Sequence, residues 1–487
     1  MRDKEGYEYK TVPYDHQRSA FEQGRRMRYQ ALLMEMGTGK SKVIIDTATY
    51  FYEKGKINAL LIFANNGSYT NWMTQEIPTH MPDRVERNVV CWKVGGSGKK
   101  LQRLYDTLFV PEVMHLQVLV MNVEAMAFDK AREFALRFAR THDTMVVVDE
   151  STTIKNHKAK RTKGVMAVAR EAVARRILTG SAITNNPLDL YSQCEFLSRG
   201  ALNFTSYYSF KAYYAELQEI TLRASGRKVK IVTGYRYLDK LTRDLQQFSF
   251  IIKKEDCLDL PPKVYERFAV EMTPDQARLY DQMKRTSVAE LQEETFVTAP
   301  LVLTKLLRLH QLVCGYATDD DGNVHEVPHR RLAGMDDVLA EMSEPVIIWA
   351  NYRHDLLAIA NHLRAKEGMR KEDVALYFGD TSDQERIDIR EGFQAGKIRY
   401  LVGNPQTAGY GLTLTAAANV VYYSNSYDAD KRQQSEDRCH RIGQDRSVTY
   451  VDLYVPGTVD EKILKSLRDK KAMADRILIS NWEELLA

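Results

Sequence analysis

Residues 31–46 read Ala31-Leu32-Leu33-Met34-Glu35-Met36-Gly37-Thr38-Gly39-Lys40-Ser41-Lys42-Val43-Ile44-Ile45-Asp46. The apolar run Ala31–Met34 has the character of a buried strand. Gly37-Thr38-Gly39 forms a glycine turn, and Val43, Ile44, Ile45 and Ala48 open an amphipathic helix. Strand, glycine loop and helix in that order is the setting of a phosphate-binding loop. The loop and helix N–H groups converge on one point and favour an anion there. Lys40 reaches β- and γ-phosphates, and the Ser41 hydroxyl suits Mg²⁺. One position departs from the full glycine pattern: Met34 stands six residues before the lysine, where that pattern has glycine.

Outward from this loop the apolar runs stay short. Leu60–Ala64, Asn88–Val94, Leu116–Met121, Met145–Val148 and Ile177–Thr179 are separated by helical patterns such as Ala131–Arg140. Alternating strands and helices predict a parallel α/β sheet, with ligands at the carboxyl ends of its strands. Residues 200–300 are rich in Tyr, Phe, Leu and charge at helical spacing, as in Ser206–Glu216 and Asp239–Gln247, and are expected to be helical. Leu260-Pro261-Pro262 is the best linker, because proline pairs stop a helix. After a helical stretch at Leu301–Val313, a second strand series follows at Val346–Ala350, Val374–Phe378, Tyr400–Gly403, Asn419–Tyr423 and Val448–Tyr454. Val459–Leu478 closes the chain as a helix. The expected division is 1–258, with a helical elaboration over 200–258, and 259–487, with one over 264–330 and a brace helix at 459–478. Lys93–Lys100 mimics a second phosphate loop, but Lys100 occupies the position that needs a hydroxyl.

The 487 residues are 44% hydrophobic and 28% charged, enough to build sizeable cores and unlike a disordered chain. The net charge of +4 neither demands nor excludes local basic faces; short basic runs stand at Arg25–Arg28 and Lys158–Lys163. Five scattered cysteines without a C-x-x-C pair argue against a disulfide framework or a zinc site and fit a reducing compartment. No apolar leader and no run of about 18 apolar residues is present, so the expectation is a soluble intracellular protein with no membrane partner.

Val146-Val147-Val148-Asp149-Glu150-Ser151 supplies two carboxylates with separable tasks. Asp149 can hold Mg²⁺, and Glu150 can polarise the water that attacks a γ-phosphate. Continued as Thr152-Thr153-Ile154-Lys155-Asn156, this stretch resembles the Snf2-type ATPases of helicase superfamily 2. The resemblance runs from about Pro13 to Leu478. Tyr14-Asp15-His16-Gln17 is similar to the adenine-reading glutamine motif, which implies a hydrogen-bond role for Gln17. Glu35–Ser41 is similar to motif I, where the family commonly has Asp at the position of Met34. Asn71-Trp72 and Glu76 resemble the segment after motif Ia, and Leu178-Thr179-Gly180-Ser181 with Asn185-Asn186-Pro187 resembles motif III.

Gly409-Tyr410-Gly411-Leu412-Thr413-Leu414-Thr415-Ala416-Ala417 resembles motif V; Thr413 in place of the commoner Asn is seen in the distant branch of annealing helicases and fork remodellers. Gln434-Ser435-Glu436-Asp437-Arg438-Cys439-His440-Arg441-Ile442-Gly443-Gln444 resembles motif VI and is the most specific string in the chain. Lys253-Lys254 sit where the family often has paired arginines, which keeps the charge but not the guanidinium geometry.

The resemblance implies two RecA-like parallel-sheet lobes in tandem, with helical insertions and a C-terminal helix. It implies ATP and Mg²⁺ as cofactors. Gln17, Gly37, Thr38, Gly39, Lys40, Ser41, Gly411 and Gln444 would bind nucleotide. Ser41 and Asp149 would hold the metal. Lys40, Asp149, Glu150, Arg438 and Arg441 would carry the hydrolysis. A γ-phosphoryl transition state spreads negative charge, and such arginines are worth roughly 10³–10⁵ in rate in related systems. The i, i+3 spacing puts Arg438 and Arg441 on one face of a helix, in the half without a P-loop, so the halves are expected to close on ATP.

Residue types suited to phosphate contact gather at strand ends: Asn65, Asn66, Asn122, Lys155, Asn156, Asn351 and Thr407. Trp72 packs on sugar or in the core. The leading expectation is a monomeric, ATP-driven translocase on double-stranded DNA that remodels DNA or DNA–protein complexes. A superfamily 2 helicase on RNA or single strands stays open, as does a remodeller of RNA polymerase or another protein that uses DNA as a track. No appended module is recognisable, and no nuclear signal, which points to a viral or prokaryotic source and a bacterial or infected-cell cytoplasm.

Overall fold

The computed structural model describes residues 2–3, 6–65, 69–93, 96, 98–110, 115–180, 186–221, 228–293, 299–319, 321–407 and 412–479. The chain forms two compact units, Met1–Glu216 with Gly234–Asp259 and Ala472–Ala487, and Leu217–Thr233 with Leu260–Lys471.

The first unit is built on a seven-stranded sheet. Its strands are β1 (Tyr29–Met34), β2 (Ala59–Ala64), β3 (Arg87–Cys91), β4 (Leu116–Asn122), β5 (Thr144–Asp149), β6 (Ala174–Thr179) and, after the hairpin β7 (Ala215–Thr221)–β8 (Lys228–Tyr235), β9 (Ser249–Ile252). The order is β3-β4-β2-β5-β6-β1-β9, with every neighbouring pair parallel. Helices Lys40–Glu53, Asp129–Thr141 and Lys160–Ala169 make crossovers. Successive side chains of a strand face opposite sides of the sheet, so each apolar run feeds two cores. Ala31 and Leu33 enter one cluster with Leu61 and Phe63. Leu32 and Met34 enter the other with Leu60 and Ile62. The order places β5, β6 and β1 side by side, and with them their carboxyl ends.

The second unit holds a six-stranded parallel sheet of β10 (Lys263–Ala269), β13 (Val346–Trp349), β14 (Val374–Tyr377), β15 (Tyr400–Gly403), β16 (Asn419–Tyr422) and β17 (Val448–Tyr454), in the order β10-β17-β16-β13-β15-β14. A separate antiparallel pair, β11 (Tyr316–Thr318) and β12 (Val324–Glu326), lies between β10 and β13 in the chain. Ile347 and Trp349 pack on one face, and Val346, Ile348 and Ala350 on the other. Helix Val459–Ile479 follows β17. Both sheets are the parallel α/β architecture expected from the alternation of strands and helices.

Residues 200–300 correct the expectation of an all-helical elaboration. Helices Tyr207–Tyr214 and Leu238–Gln246 form, but so do the β7–β8 hairpin, β9 and β10. The 264–330 stretch contains β10, β11 and β12 besides its helices. The reason is local: β9 has only four residues, too few to show a strand period, and β10 is an edge strand whose middle is exposed and whose composition is mixed.

Candidate functional site

At the carboxyl end of β1 the backbone turns through Gly37 and Gly39 at φ +83° and +86° into helix Lys40–Glu53. Left-handed angles of this kind favour glycine. Gly39 is also pressed from the side: a β-carbon there would stand 2.2 Å from Gln17 Nε2. Gln17 is buried and donates to Thr38 O at 3.0 Å, while its Oε1 accepts from the Tyr14 N–H at 3.1 Å. His16 Nε2 also meets Thr38 O, at 2.8 Å. Gln17 therefore holds the crest of the loop. His16 is a second positioning group that its lack of ligand spacing concealed.

Lys40 Nζ donates to Met34 O at 2.9 Å and to Glu35 O at 3.3 Å. Two carbonyl oxygens steer the ammonium over the loop, where a phosphate oxygen would compete for the same protons. Glu35 Oε2 accepts from the Lys254 N–H at 2.9 Å, tying the loop to the end of β9. The Lys253-Lys254 pair thus contributes a backbone bond here rather than guanidinium chemistry.

Asp149 and Glu150 stand at the end of β5, which pairs with β6, which pairs with β1. Asp149 Oδ2 accepts from Trp72 Nε1 at 3.0 Å, and Oδ1 accepts from the Glu150 N–H at 3.0 Å. Burial pushes the Asp149 carboxyl up, against the pull of the Trp72 N–H and the Lys40 ammonium. A divalent cation would reverse that rise. Glu150 adopts φ 49° and ψ 64°, a left-handed conformation that costs a non-glycine residue roughly 1–3 kcal/mol and is typical of functional turns. Ser151 Oγ donates to Gln193 Oε1 at 2.6 Å and pins the turn from below. Ser41 and Asp149 are hard oxygen donors, as Mg²⁺ prefers. Among the described residues no group of three His, Cys, Asp or Glu could hold a metal. Thr179 is buried at the end of β6, next to Gly180. Ser181 and Asn185 lie outside the described residues.

Trp72 is only 2% exposed, so it orients Asp149 and cannot pack on a sugar. Asn122 is likewise buried, at the mouth of the 3-10 turn Val123–Ala127, and offers no surface for a phosphate. Asn65 is half-buried at the end of β2, and its carbonyl accepts from the Tyr69 N–H. Asn66 lies outside the described residues. Lys155 Nζ is 4.0 Å from Asp189, and Asn156 Oδ1 accepts from the Lys158 N–H at 2.9 Å. In the second unit the Asn351 carbonyl accepts from Asn404 Nδ2 at 2.9 Å, and the Thr407 N–H donates to Asn404 O at 3.0 Å. A cavity of about 410 Å³ opens beside them, lined by Arg353, Phe378, Asp380, Arg386, Asn404 and Thr407.

Motif VI begins on helix Ala429–Glu436. Arg438 and Arg441 follow its end in consecutive turns, so they do not share a helical face; the i, i+3 expectation fails because the helix stops at Glu436. Arg438 is 2% exposed and donates to Leu412 O at 3.4 Å, while Arg441 is half-buried. Gln444 is buried and its amide donates to Ala417 O at 2.8 Å and Thr415 O at 3.1 Å. It joins motif VI to motif V rather than facing solvent. Gly411 lies outside the described residues. Arg432, not singled out from the sequence, anchors the helix through Glu436 and Asp452, with its guanidinium 3.4 Å from the Tyr422 ring centroid.

A glycine phosphate cradle after β1 and an Asp-Glu pair ending β5, one strand apart across β6 in a parallel sheet, define a P-loop ATPase. The chain belongs to the SNF2-related domain family, whose model matches residues 25–316, and a helicase conserved C-terminal domain matches residues 331–443. A putative ATP-dependent helicase/translocase of Bacillus subtilis is 26% identical over 69% of this chain and 36% of that protein. An uncharacterised ATP-dependent helicase of Mycoplasma genitalium is 23% identical over 92% of this chain and 40% of that protein. The human TATA-binding protein-associated factor 172 is 25% identical over 73% of this chain and 22% of that protein. The chain thus spans well under half the length of these relatives. A Sulfolobus solfataricus SWI2/SNF2 ATPase core, solved in complex with dsDNA, is 21% identical over 98% of this chain and 97% of that chain, with a TM-score of 0.42. Among the described residues no helix is long and apolar enough to cross a membrane.

Proposed function

We propose that this chain is an ATP-driven translocase on double-stranded DNA. The observation that carries the ATPase half of this reading is the adjacency of β5, β6 and β1, which gathers Asp149, Glu150, Thr179 and Lys40 at one end of one sheet. Lys40 and the loop N–H groups hold the β- and γ-phosphates. Ser41 and Asp149 would hold Mg²⁺, which when bound would supply neutralisation of phosphate charge. Glu150 orients the attacking water, and Arg441 stabilises the charge of the transition state. Arg438 supports motif V from within its own unit.

The relatives support the motor half: the similar Bacillus subtilis protein is a putative ATP-dependent helicase/translocase. Duplex DNA as the track, remodelling of DNA or bound proteins, a place in the annealing-helicase branch on the strength of Thr413, action as a monomer and a bacterial or infected-cell cytoplasm complete the reading. Phosphate contacts from Lys155, Asn156, Asn351 and Thr407 would position the strand without reading its sequence.

ATP turnover measured with and without duplex DNA tests it. Turnover is expected to rise with duplex and to fall steeply with salt, since log affinity drops by about 0.9 per neutralised phosphate for each decade of salt. Turnover indifferent to duplex DNA sinks the DNA reading; stimulation by RNA or single strands alone favours the helicase alternative.

A further inference from the structure

The turn behind the hydrolytic carboxylates carries a basic run that ATP chemistry does not use. After the 3-10 turn Ser151–Ile154, Asn156 caps the Lys158 N–H, and helix Lys160–Ala169 begins. Lys158, Lys160 and Lys163 are exposed. Helix Tyr207–Tyr214 lies against this turn through a ring stack: His157 and Tyr207 have centroids 4.0 Å apart and planes 26° apart. Burial pushes the His157 imidazole down, and the positive charges of Lys158 and Lys163 push it further. The imidazole thus sits in an electropositive neighbourhood. The carboxylate at hand is Asp189, 4.0 Å from Lys155 Nζ.

Tyr208 stands at the outer edge of this stack and is 67% exposed. Its ring centroid is 6.0 Å from Lys158 Nζ and 6.5 Å from the His157 ring, which meets it edge-on. Phe210 and Tyr214 already bury the apolar side of the helix, so the Tyr208 ring adds little to the core. What remains is an accessible aromatic face beside a lysine ammonium, backed by a fixed pair of rings.

We infer that Tyr208 is a stacking platform for an unpaired base, with Lys158, Lys160 and Lys163 meeting the phosphates of the same strand. The inference rests on the translocase reading and extends it: the favoured track is a duplex with a single-stranded flank. Aromatic faces with adjacent cations bind single strands with little sequence preference, because every base has a π-face. A protein partner is the weaker fit, since protein–protein interfaces are depleted in lysine.

Fluorescence anisotropy with two labelled DNAs of equal duplex length tests this, one blunt and one carrying a short single-stranded flank. In the wild-type chain the flanked DNA is expected to bind roughly tenfold tighter than the blunt one. That ratio should fall close to one in Tyr208→Ala and be restored in Tyr208→Phe, which keeps the ring. Lys158→Gln should lower the salt slope for the flanked DNA by about 0.7. A wild-type ratio near one, or a ratio unchanged in Tyr208→Ala, overturns the platform while the translocase reading stands. A wild-type chain that binds neither DNA overturns both.

Discussion

The indole N–H of Trp72 donates to the carboxylate of Asp149 at 3.0 Å, across 77 positions of sequence. A buried carboxylate without such a donor resists ionisation, and only the ionised form serves a divalent cation. Trp72→Phe removes the donor and leaves an aromatic ring in its place. The Asp149 carboxyl should then rise further, so its ionised form is gained only at higher pH. The acid limb of the kcat/KM–pH profile, which reports the free enzyme, is expected to move up, so that the loss of activity is larger at the acid end than at the alkaline end. An acid limb that stays in place would remove Trp72 from any influence on the site.

Lys40 and Glu150 should fail in different ways. Lys40→Ala deletes the ammonium held by Met34 O and Glu35 O and is expected to weaken ATP binding as well as turnover. Glu150→Gln keeps the left-handed turn and its volume but not the charge, so ATP should bind while turnover falls by about 10³ or more. Nucleotide titration and a steady-state phosphate-release assay separate the two losses.

The motif VI arginines divide along burial. Arg441→Ala is expected to keep ATP binding and lower turnover by roughly 10³. Arg438→Ala empties a buried position behind Leu412 and should cost about 2 kcal/mol of stability. Urea denaturation of both variants beside their ATPase rates checks this. Hydrolysis that survives in Arg441→Ala would refute the finger assignment.

Asp460 is buried between Arg331 Nη1 at 2.8 Å and His310 Nε2 at 3.1 Å. Burial pushes its carboxyl up, but Arg331 and His310 together pull it well below its ordinary range. A carboxyl depressed in the folded state contributes stability that is present above its ordinary value of 3.8 and is lost as pH falls below it. Asp460→Asn leaves the Arg331 guanidinium buried without its counter-charge and should cost about 3–5 kcal/mol at pH 7. The gap between variant and wild type should narrow as pH drops below about 4. Denaturation midpoints at several pH values read this directly; a gap independent of pH would contradict the linkage.

Much of the architecture was legible from residue order alone. A parallel strand covered on both faces is apolar along most of its length, so Leu60–Ala64, Leu116–Met121 (with the single polar Gln117) and Met145–Val148 declared themselves as runs. The same holds for Gly37–Ser41 and Asp149-Glu150, since phosphate and metal chemistry restrict residue types at fixed local spacing. The β7–β8 hairpin, β9 and β10 were not legible, because short or edge strands keep exposed faces and mixed composition.

Sequence by itself determined the strand–loop–helix at Ala31–Asp46, the paired carboxylates and the family that carries them, because each depends on neighbours within a few residues. Tertiary structure alone decided what the side chains do. It turned Trp72 from a candidate DNA contact into the partner of Asp149 and buried Asn122. It committed Gln17 to Thr38 O and Gln444 to Ala417 O, and it separated the environments of Arg438 and Arg441. The physical reason is that a hydrogen bond or a packed ring is a relation between groups distant along the chain, such as Glu35 and Lys254, and residue type alone does not say which partner the fold will bring.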